Sequence, residues 1–527
     1  MEGSSVPHDE VQGLPAPTGN RRSISRRKLL LSGGGGAIGI AALASSAFGG
    51  IHIGESNASH EVTPKPAMPP QGHFKTRPEL VPPRLQIVDL DAGTAPGLVM
   101  LTPSLLPGVR GLSQAQAVTK GKGQMGVMIT NNRGEVIWFQ PTTQLATNLQ
   151  VQSYRGQPVL TFWNGNIVKG MGFGKGYLLD HQYNNVATIT GGNGLEADLH
   201  ELTLTPQNTA LITAYHKQAA DVSAIGGPKN GSVFESVVQE IDIATGKVLF
   251  QWNSLDHVPV TDSYVKATGD APVDYFHVNS VALWDNNSLL VSARNTWTVY
   301  RIDRRTGAVI WRLGGKRSNF AIGKGANFEW QHHVRRYQNG ITVFDDAAAP
   351  AEEPQSRALV LGVDETGKKV SLTRAYTHPA GLLTYYEGSI QMLPNGNAFV
   401  GWGTEPYSSE FNPSGGLIYD VRFPTNDQSY RAFRYEWTGT PVHPPQLVVH
   451  KDDIGGYAAY VSWNGATNVT YWQIFSGNSP KSLKPVAIVL KAGFETAITV
   501  HPGGSYLAIA GLDLAGKRLG MSTPVKI

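Results

Sequence analysis

EIDIATGKVLFQW (residues 240–252) and YRIDRRTGAVIWRL (residues 300–313) share one plan: an apolar strand, an aspartate, a Thr-Gly turn, then a second strand carrying tryptophan. Glycine supplies the positive φ of a tight turn, and the flanking alternation makes an antiparallel hairpin. Weaker copies are NNRGEVIWF (131–139), LLDHQYNNVATI (178–189), LGVDETGKKVSL (361–372) and GGLIYDVRF (415–423). The turn positions fall at Gly134, Asn185, Gly246, Gly307, Gly367 and Gly416, at intervals of 49 to 61 residues. A unit of this length cannot bury both faces alone, so its repetition predicts a radial β-propeller with six blades.

A second strand pair precedes these hairpins. Its copies are LHELTLTPQNTALITAYH (199–216), FHVNSVALWDNNSLLVSARN (276–295), QHHVRRYQNGITVFDDA (331–347) and GSIQMLPNGNAFVGWGT (388–404). In a four-stranded blade this pair lies nearest the axis. His200, His277 and His332 then share one slot at the start of the inner strand, and the next blade has Gly388-Ser389 there. Equivalent inner positions converge on a central channel, so three imidazoles are expected at one mouth. Successive side chains of a strand point to opposite faces, so His332 faces the channel and His333 turns into the blade. The ends of the second inner strands add Arg294-Asn295, Asp345-Asp346 and Gly403-Thr404, and Asn279 shares a face with His277. Packing does not need the same titratable group three times. Three imidazoles, a guanidinium and an amide suit an anion with several oxygens, such as sulfate or phosphate.

The remaining chain sets the frame. It has 527 residues, 60 glycines, 33 prolines and 11 tryptophans, which favours a turn-rich all-β protein. The formal charge is +4 with no basic block outside the amino-terminal segment, so nothing points to nucleic acid. There is no cysteine, which excludes disulfides and thiolate metal sites. Residues 1–54 carry SRRKLLL followed by a weakly apolar, glycine-rich run, the pattern of a twin-arginine export signal, against the alternative of a chance Arg-Arg pair in a cytoplasmic protein. The expected partner there is the twin-arginine translocase, and the expected location is extracytoplasmic, secreted if the signal is cut and anchored if it is not. Residues 55–84 read as a proline-rich linker, 85–440 as the propeller, and 441–527 as a β-sandwich of fibronectin type III or immunoglobulin-like kind with Trp463 in its core. GMGFGKGY (170–177) lacks the spacing of a dinucleotide fingerprint, and no phosphate-binding Gly-x-x-x-x-Gly-Lys-Ser/Thr occurs in the chain.

The stretches TRPELVPP, DLHELTLTPQNTAL, EIDIATGKVLFQWNSLDHV, DYFHVNSV, TGAVIWRLGGK, FEWQHHVR and LPNGNAFVGWG, in this order, resemble the nucleotide-independent arylsulfotransferases, in the branch found in filamentous bacteria and fungi. The resemblance covers roughly residues 75–440. It implies a six-bladed propeller that moves a sulfuryl group from an aryl sulfate to a phenol, with no nucleotide or other cofactor. It places the nucleophilic histidine, which would carry a sulfohistidine intermediate, on His332. The sulfuryl-binding residues fall on His200, His277, Asn279 and Arg294, and a pocket threonine on Thr404.

Three other readings use the same residues. Asp-x-x-Thr-Gly followed by Trp also occurs in propeller quinoproteins, three imidazoles are a zinc ligand set, and a propeller with a trailing sandwich suits a non-enzymatic binding protein of the cell envelope. Metal analysis separates the zinc reading, and absence of phenol release from an aryl sulfate favours the binding protein.

Overall fold

The computed structural model describes residues 74–105, 123–424, 427–451 and 456–527. The export-signal segment 1–54 and the first part of the proline-rich stretch lie outside the described residues. Among the described residues the chain is all-β, with only three-residue 3-10 turns between strands.

Residues 86–435 form six sheets, each built on four antiparallel strands. Sheet 2 runs Leu145–Tyr154, Gln157–Val168, Met171–Leu179 and Asn185–Ile189. Sheet 3 runs Leu202–Leu204, Thr209–Ala220, Gly231–Asp242 and Val248–Asn253. Sheet 4 runs Val278–Asp285, Ser288–Ala293, Thr298–Asp303 and Val309–Gly314. Sheet 5 runs His332–Tyr337, Gly340–Asp345, Arg357–Asp364 and Lys369–Tyr376. Sheet 6 runs Ser389–Met392, Ala398–Gly401, Tyr407–Phe411 and Leu417–Arg422. Sheet 1 is composite. Its strands Leu98–Leu105, Gly126–Thr130 and Val136–Pro141 are completed by Asp427–Tyr435, which pairs antiparallel with Leu98–Leu105. The early strand Gln86–Leu90 in turn joins the outer edge of sheet 6. Both ends of this region are therefore fixed in sheets made mostly by the other end.

Six apolar cores lie between successive sheets. They centre on Trp138 and Phe162 between sheets 1 and 2, Trp163 and Ile212 between 2 and 3, and Trp252 and Phe276 between 3 and 4. Trp311 and Val343 mark the core between 4 and 5, Phe344 and Trp402 that between 5 and 6, and Phe399 and Val99 that between 6 and 1. Middle strands are covered on both faces, which is why Ser288–Ala293 is buried throughout. The hairpin tryptophans tie neighbours together: Trp252 Nε1 donates to the Gly307 carbonyl (3.0 Å) and Trp311 Nε1 to the Glu365 carboxylate (3.2 Å).

All six hairpins lie where the sequence places them, but the turn chemistry differs at three. Gly134, Gly246 and Gly307 take the left-handed conformation, whereas Asn185, Gly367 and Gly416 do not. The left-handed residues there are Tyr183, Lys368 and Gly415. An Asx turn carries two of these bends: Asp180 Oδ1 accepts from the Gln182 and Asn184 N–H groups, and Asp364 Oδ1 from those of Thr366 and Gly367.

Residues 74–84, expected as linker, are seated instead. Leu80 is buried in the core between sheets 6 and 1, the Phe74 ring lies 4.4 Å from that of Phe494, and Thr76 is bonded to Glu495 and Ser462. In residues 446–526 two further sheets enclose one apolar core. Trp472, not Trp463, is its fully buried tryptophan, with Nε1 donating to Thr496 (3.0 Å). Trp463 is half-buried just past a strand end and donates to the His443 carbonyl.

Beside the inner edge strands lies a buried ion cluster. Glu201 accepts from Arg335 of sheet 5 (2.8 Å) and Arg431 of sheet 1 (3.2 Å), and from the Val281 N–H of sheet 4 (3.2 Å). Burial works to raise the Glu201 carboxyl, but the two guanidinium groups hold it below the ordinary carboxylate value. Glu201→Gln would leave two buried cations without a counter-charge. We expect a loss of about 3 kcal/mol in urea unfolding.

Candidate active site

His200, His277 and His332 sit at the starts of the inner edge strands of sheets 3, 4 and 5, as the repeat register predicts. The His200 and His277 rings meet edge to face, 4.8 Å between centroids. His332 lies close enough to feel the charge of both. His200 also borders Tyr215 and Tyr430, with ring centroids 6.0 and 5.8 Å away.

Each imidazole is anchored in the same way. His200 Nδ1 lies 2.5 Å from Asp198 Oδ2, His277 Nδ1 2.5 Å from Asp274 Oδ2, and His332 Nδ1 2.8 Å from Asp346 Oδ2. A carboxylate at Nδ1 makes that nitrogen the donor and leaves Nε2 for chemistry. On His332 the Nε2 atom accepts from the Glu387 N–H at 3.4 Å. Reading by repeat brings Asp346 to the site without its role as an anchor and leaves out Asp198 and Asp274. Asp198-x-His200 and Asp274-x-x-His277 are local signals available in the sequence, whereas Asp346 lies fourteen positions from its histidine, across a hairpin.

The expectation for His333 needs correction. Strict alternation fails because His333 has φ 50°, and the pairing register slips between His332 and Arg335. The bulge sends the His333 ring toward the neighbouring sheets. Its Nδ1 accepts from the Ile390 N–H of sheet 6 (3.3 Å), and its ring packs against Phe433 of sheet 1.

Arg294 is brought to the same cluster. It is buried, and among the described residues it makes no ion pair. Its terminal nitrogens donate to Asn295 Oδ1 and to the Ala348 and Tyr385 carbonyls, while Nε has no partner. Trp330 and Tyr386 lie over the guanidinium at 4.8 and 5.3 Å. Tyr385 and Tyr386 are both more than two-fifths exposed, so an aromatic rim stands beside a buried cation. Thr404 supports that rim: its Oγ1 accepts from the Tyr385 N–H at 3.2 Å. Asn279 Nδ2 donates to the Gln331 carbonyl (2.7 Å), which fixes the residue before His332, and Oδ1 has no partner.

Electrostatics separate the groups. Burial, then Arg294 and the other two imidazoles, pushes the His332 ring well below the ordinary histidine value. Burial also lowers His200, against the pull of Asp198. Burial, helped by Asp345 and Glu387, lifts the Asp346 carboxyl well above the ordinary range. Asp198 goes the other way: burial raises it, but His200 and the N–H groups of Gly172 and His200 hold it low. The result is a site with a buried imidazole whose Nε2 holds a lone pair, a guanidinium that makes no ion pair among the described residues, and hydrogen-bond donors, an arrangement suited to a small anion. Among the described residues no cluster of three or more His, Asp or Glu is arranged to hold a metal ion.

The chain belongs to the arylsulfotransferase (ASST) family, whose model matches residues 150–424, the span that holds His200, His277, Asn279, Arg294, His332 and Thr404. No curated protein matches it. Among solved structures it is similar to a protein of unknown function from Bacteroides caccae, at 11% identity over 64% of this chain and 98% of that one, TM-score 0.38. It is also similar to a streptogramin B lyase (8%, 79% and 98%, TM-score 0.32). A third is a catalytically inactive virginiamycin B lyase variant from Staphylococcus aureus with quinupristin (9%, 79% and 99%, TM-score 0.32).

Three buried rings, His200, His332 and His333, have folded values below the usual 6.5. The unfolded chain takes up protons as pH falls through 6.5 while the folded chain does not, so stability is complete above that pH and declines below it. His333 pairs with no carboxylate among the described residues. His333→Asn should remove about 1.4 kcal/mol per pH unit of this acid loss, read from urea unfolding between about pH 7 and pH 5.

Proposed function

We propose that this protein is an aryl sulfate sulfotransferase that moves a sulfuryl group to a phenolic acceptor through a sulfohistidine on His332, without a nucleotide. The observation that carries this reading is Arg294: a buried guanidinium that makes no ion pair among the described residues, beside three imidazoles whose Nδ1 atoms are all anchored. Such a cluster is stabilised by a bound anion. Family membership selects an aryl sulfate as that anion.

His332 Nε2 attacks sulfur, an N–S bond forms, the S–O bond to the aryl group breaks, and the electron pair leaves on the phenol oxygen. Arg294 and the Nε2 atoms of His200 and His277 hold the sulfuryl oxygens and offset charge on the leaving oxygen. His200 or His277, as an imidazolium with hydrogen on both ring nitrogens, gives its Nε2 proton to the departing phenolate. An acceptor phenol then attacks the same sulfur, its proton passes back to that imidazole Nε2, the N–S bond breaks and its electron pair returns to His332. Asn279 keeps the Gln331-His332 segment in place, and its second amide hydrogen is available to a sulfuryl oxygen. Thr404, through Tyr385, supports the rim where an aryl ring would lie.

The same reading takes residues 85–440 as a six-bladed propeller, supported by the six inter-sheet cores, and 441–527 as a fibronectin type III or immunoglobulin-like sandwich. It takes the twin-arginine pattern as an export signal, so that the enzyme acts outside the cytoplasm on small aryl sulfates and phenols.

Purified protein should release phenol from a chromogenic aryl sulfate, faster when a phenolic acceptor is present. His332→Asn should abolish this release and the labelling of histidine by a radioactive sulfuryl donor; turnover retained in that variant ends the assignment. Arg294→Gln should lower kcat about 10²- to 10³-fold, measured in the same assay.

A further inference from the structure

His332 differs from the other two imidazoles in one respect: both of its ring nitrogens have partners on the protein. Nδ1 faces Asp346 Oδ2 at 2.8 Å, and Nε2 faces the backbone N–H of Glu387 at 3.4 Å. An amide N–H can only donate. It therefore requires a lone pair on Nε2, which puts the ring hydrogen on Nδ1 and makes Asp346 the acceptor. Asp346 directly follows the second strand of sheet 5, and Glu387, two residues before the first strand of sheet 6, supplies the amide. Asp346 is held by its neighbours: its backbone carbonyl accepts from Ser356 Oγ (2.7 Å), and the following residue, Ala347, donates to the Glu329 carbonyl (3.1 Å).

We propose that Asp346 is a positioning residue for sulfuryl transfer, which together with the Glu387 N–H locks resting His332 in the tautomer that keeps its lone pair on Nε2, the Glu387 N–H giving way when substrate enters. The inference rests on the reading of His332 as nucleophile. When Nε2 forms its bond to sulfur, the ring would become cationic while Nδ1 keeps its hydrogen. Asp346 Oδ2, 2.8 Å from Nδ1, accepts that hydrogen throughout and stabilises the cationic ring, whose positive charge in turn favours ionisation of a carboxyl that burial lifts. When the acceptor phenol takes the sulfuryl group, the pair returns to Nε2 and the starting tautomer is restored. Asp198 and Asp274 fix Nδ1 of His200 and His277 likewise, but among the described residues no N–H is recorded at the Nε2 of either ring. The Nε2 atoms of those two rings are therefore not held by the protein in the way that of His332 is.

Two measurements test this. In full-length protein with ¹⁵N-labelled histidine, His332 should show a lone-pair-type Nε2 and a protonated Nδ1, the signals being assigned by their loss in His332→Asn. In the aryl sulfate assay, Asp346→Asn should lower kcat roughly 10³- to 10⁴-fold, as for loss of a histidine-orienting aspartate elsewhere, with KM changed less than about threefold. Its His332 signals should shift toward a protonated Nε2. A wild-type spectrum with Nε2 protonated overturns the proposal. So does an Asp346→Asn enzyme that melts and turns over like the wild type. If the wild type shows the expected tautomer but releases no phenol, the tautomer lock stands and the sulfuryl-transfer reading falls. If the wild type is active and Asp346→Asn is equally active, the reverse holds.

Discussion

Glu201 with Arg335 and Arg431 is the constraint on which the rest of the molecule turns. One carboxylate from the entry to sheet 3 neutralises cations from sheets 5 and 1, and Arg431 also donates to the Asn279 carbonyl of sheet 4 at 2.9 Å. Four of six sheets are thereby tied through one set of buried charges. Burying three charges is favourable only when their geometry is complete, so the cluster penalises any arrangement in which one sheet is displaced. His200 directly precedes Glu201, and Asn279 carries both the carbonyl bound by Arg431 and the amide bound to Gln331. The positions of the imidazoles follow from the same bonds that hold the sheets.

The site beside that cluster is arranged differently. Carboxylates stand behind the three imidazoles at Nδ1, while Arg294 is sandwiched by Trp330 and Tyr386 instead of being paired with an acid. Aromatic faces stabilise a guanidinium without occupying its donors. The Arg294 Nε–H is thus left for a guest that brings negative charge and several oxygens.

The architecture was legible because each hairpin writes its own turn. Asp242 and Asp303 accept from Thr245 and Thr306, their glycines lie left-handed, and the following tryptophans reach the next sheet. The register of His200, His277 and His332 was legible for the same reason, as repetition aligns positions that local reading cannot. What escaped was contact at a distance and irregular backbone. Asp346 meets His332 only once a hairpin has folded, and the bulge at His333 cancels the alternation used to orient it. Tyr183 in place of Asn185 shows a turn set by an aspartate side chain, which makes glycine unnecessary. Trp463, expected in the core, stands at its edge because it follows the strand Tyr457–Ser462, whereas Trp472 lies within Tyr471–Gly477.

The composite sheet 1 gives the molecule an order of assembly. Asp427–Tyr435 is the last strand of this region to leave the ribosome, and it brings Tyr430 beside His200 and Arg431 onto Glu201. A nascent chain that has made His200, His277 and His332 therefore still lacks Tyr430 and Arg431. The buckle that fastens the two ends also completes the surroundings of His200 and Glu201.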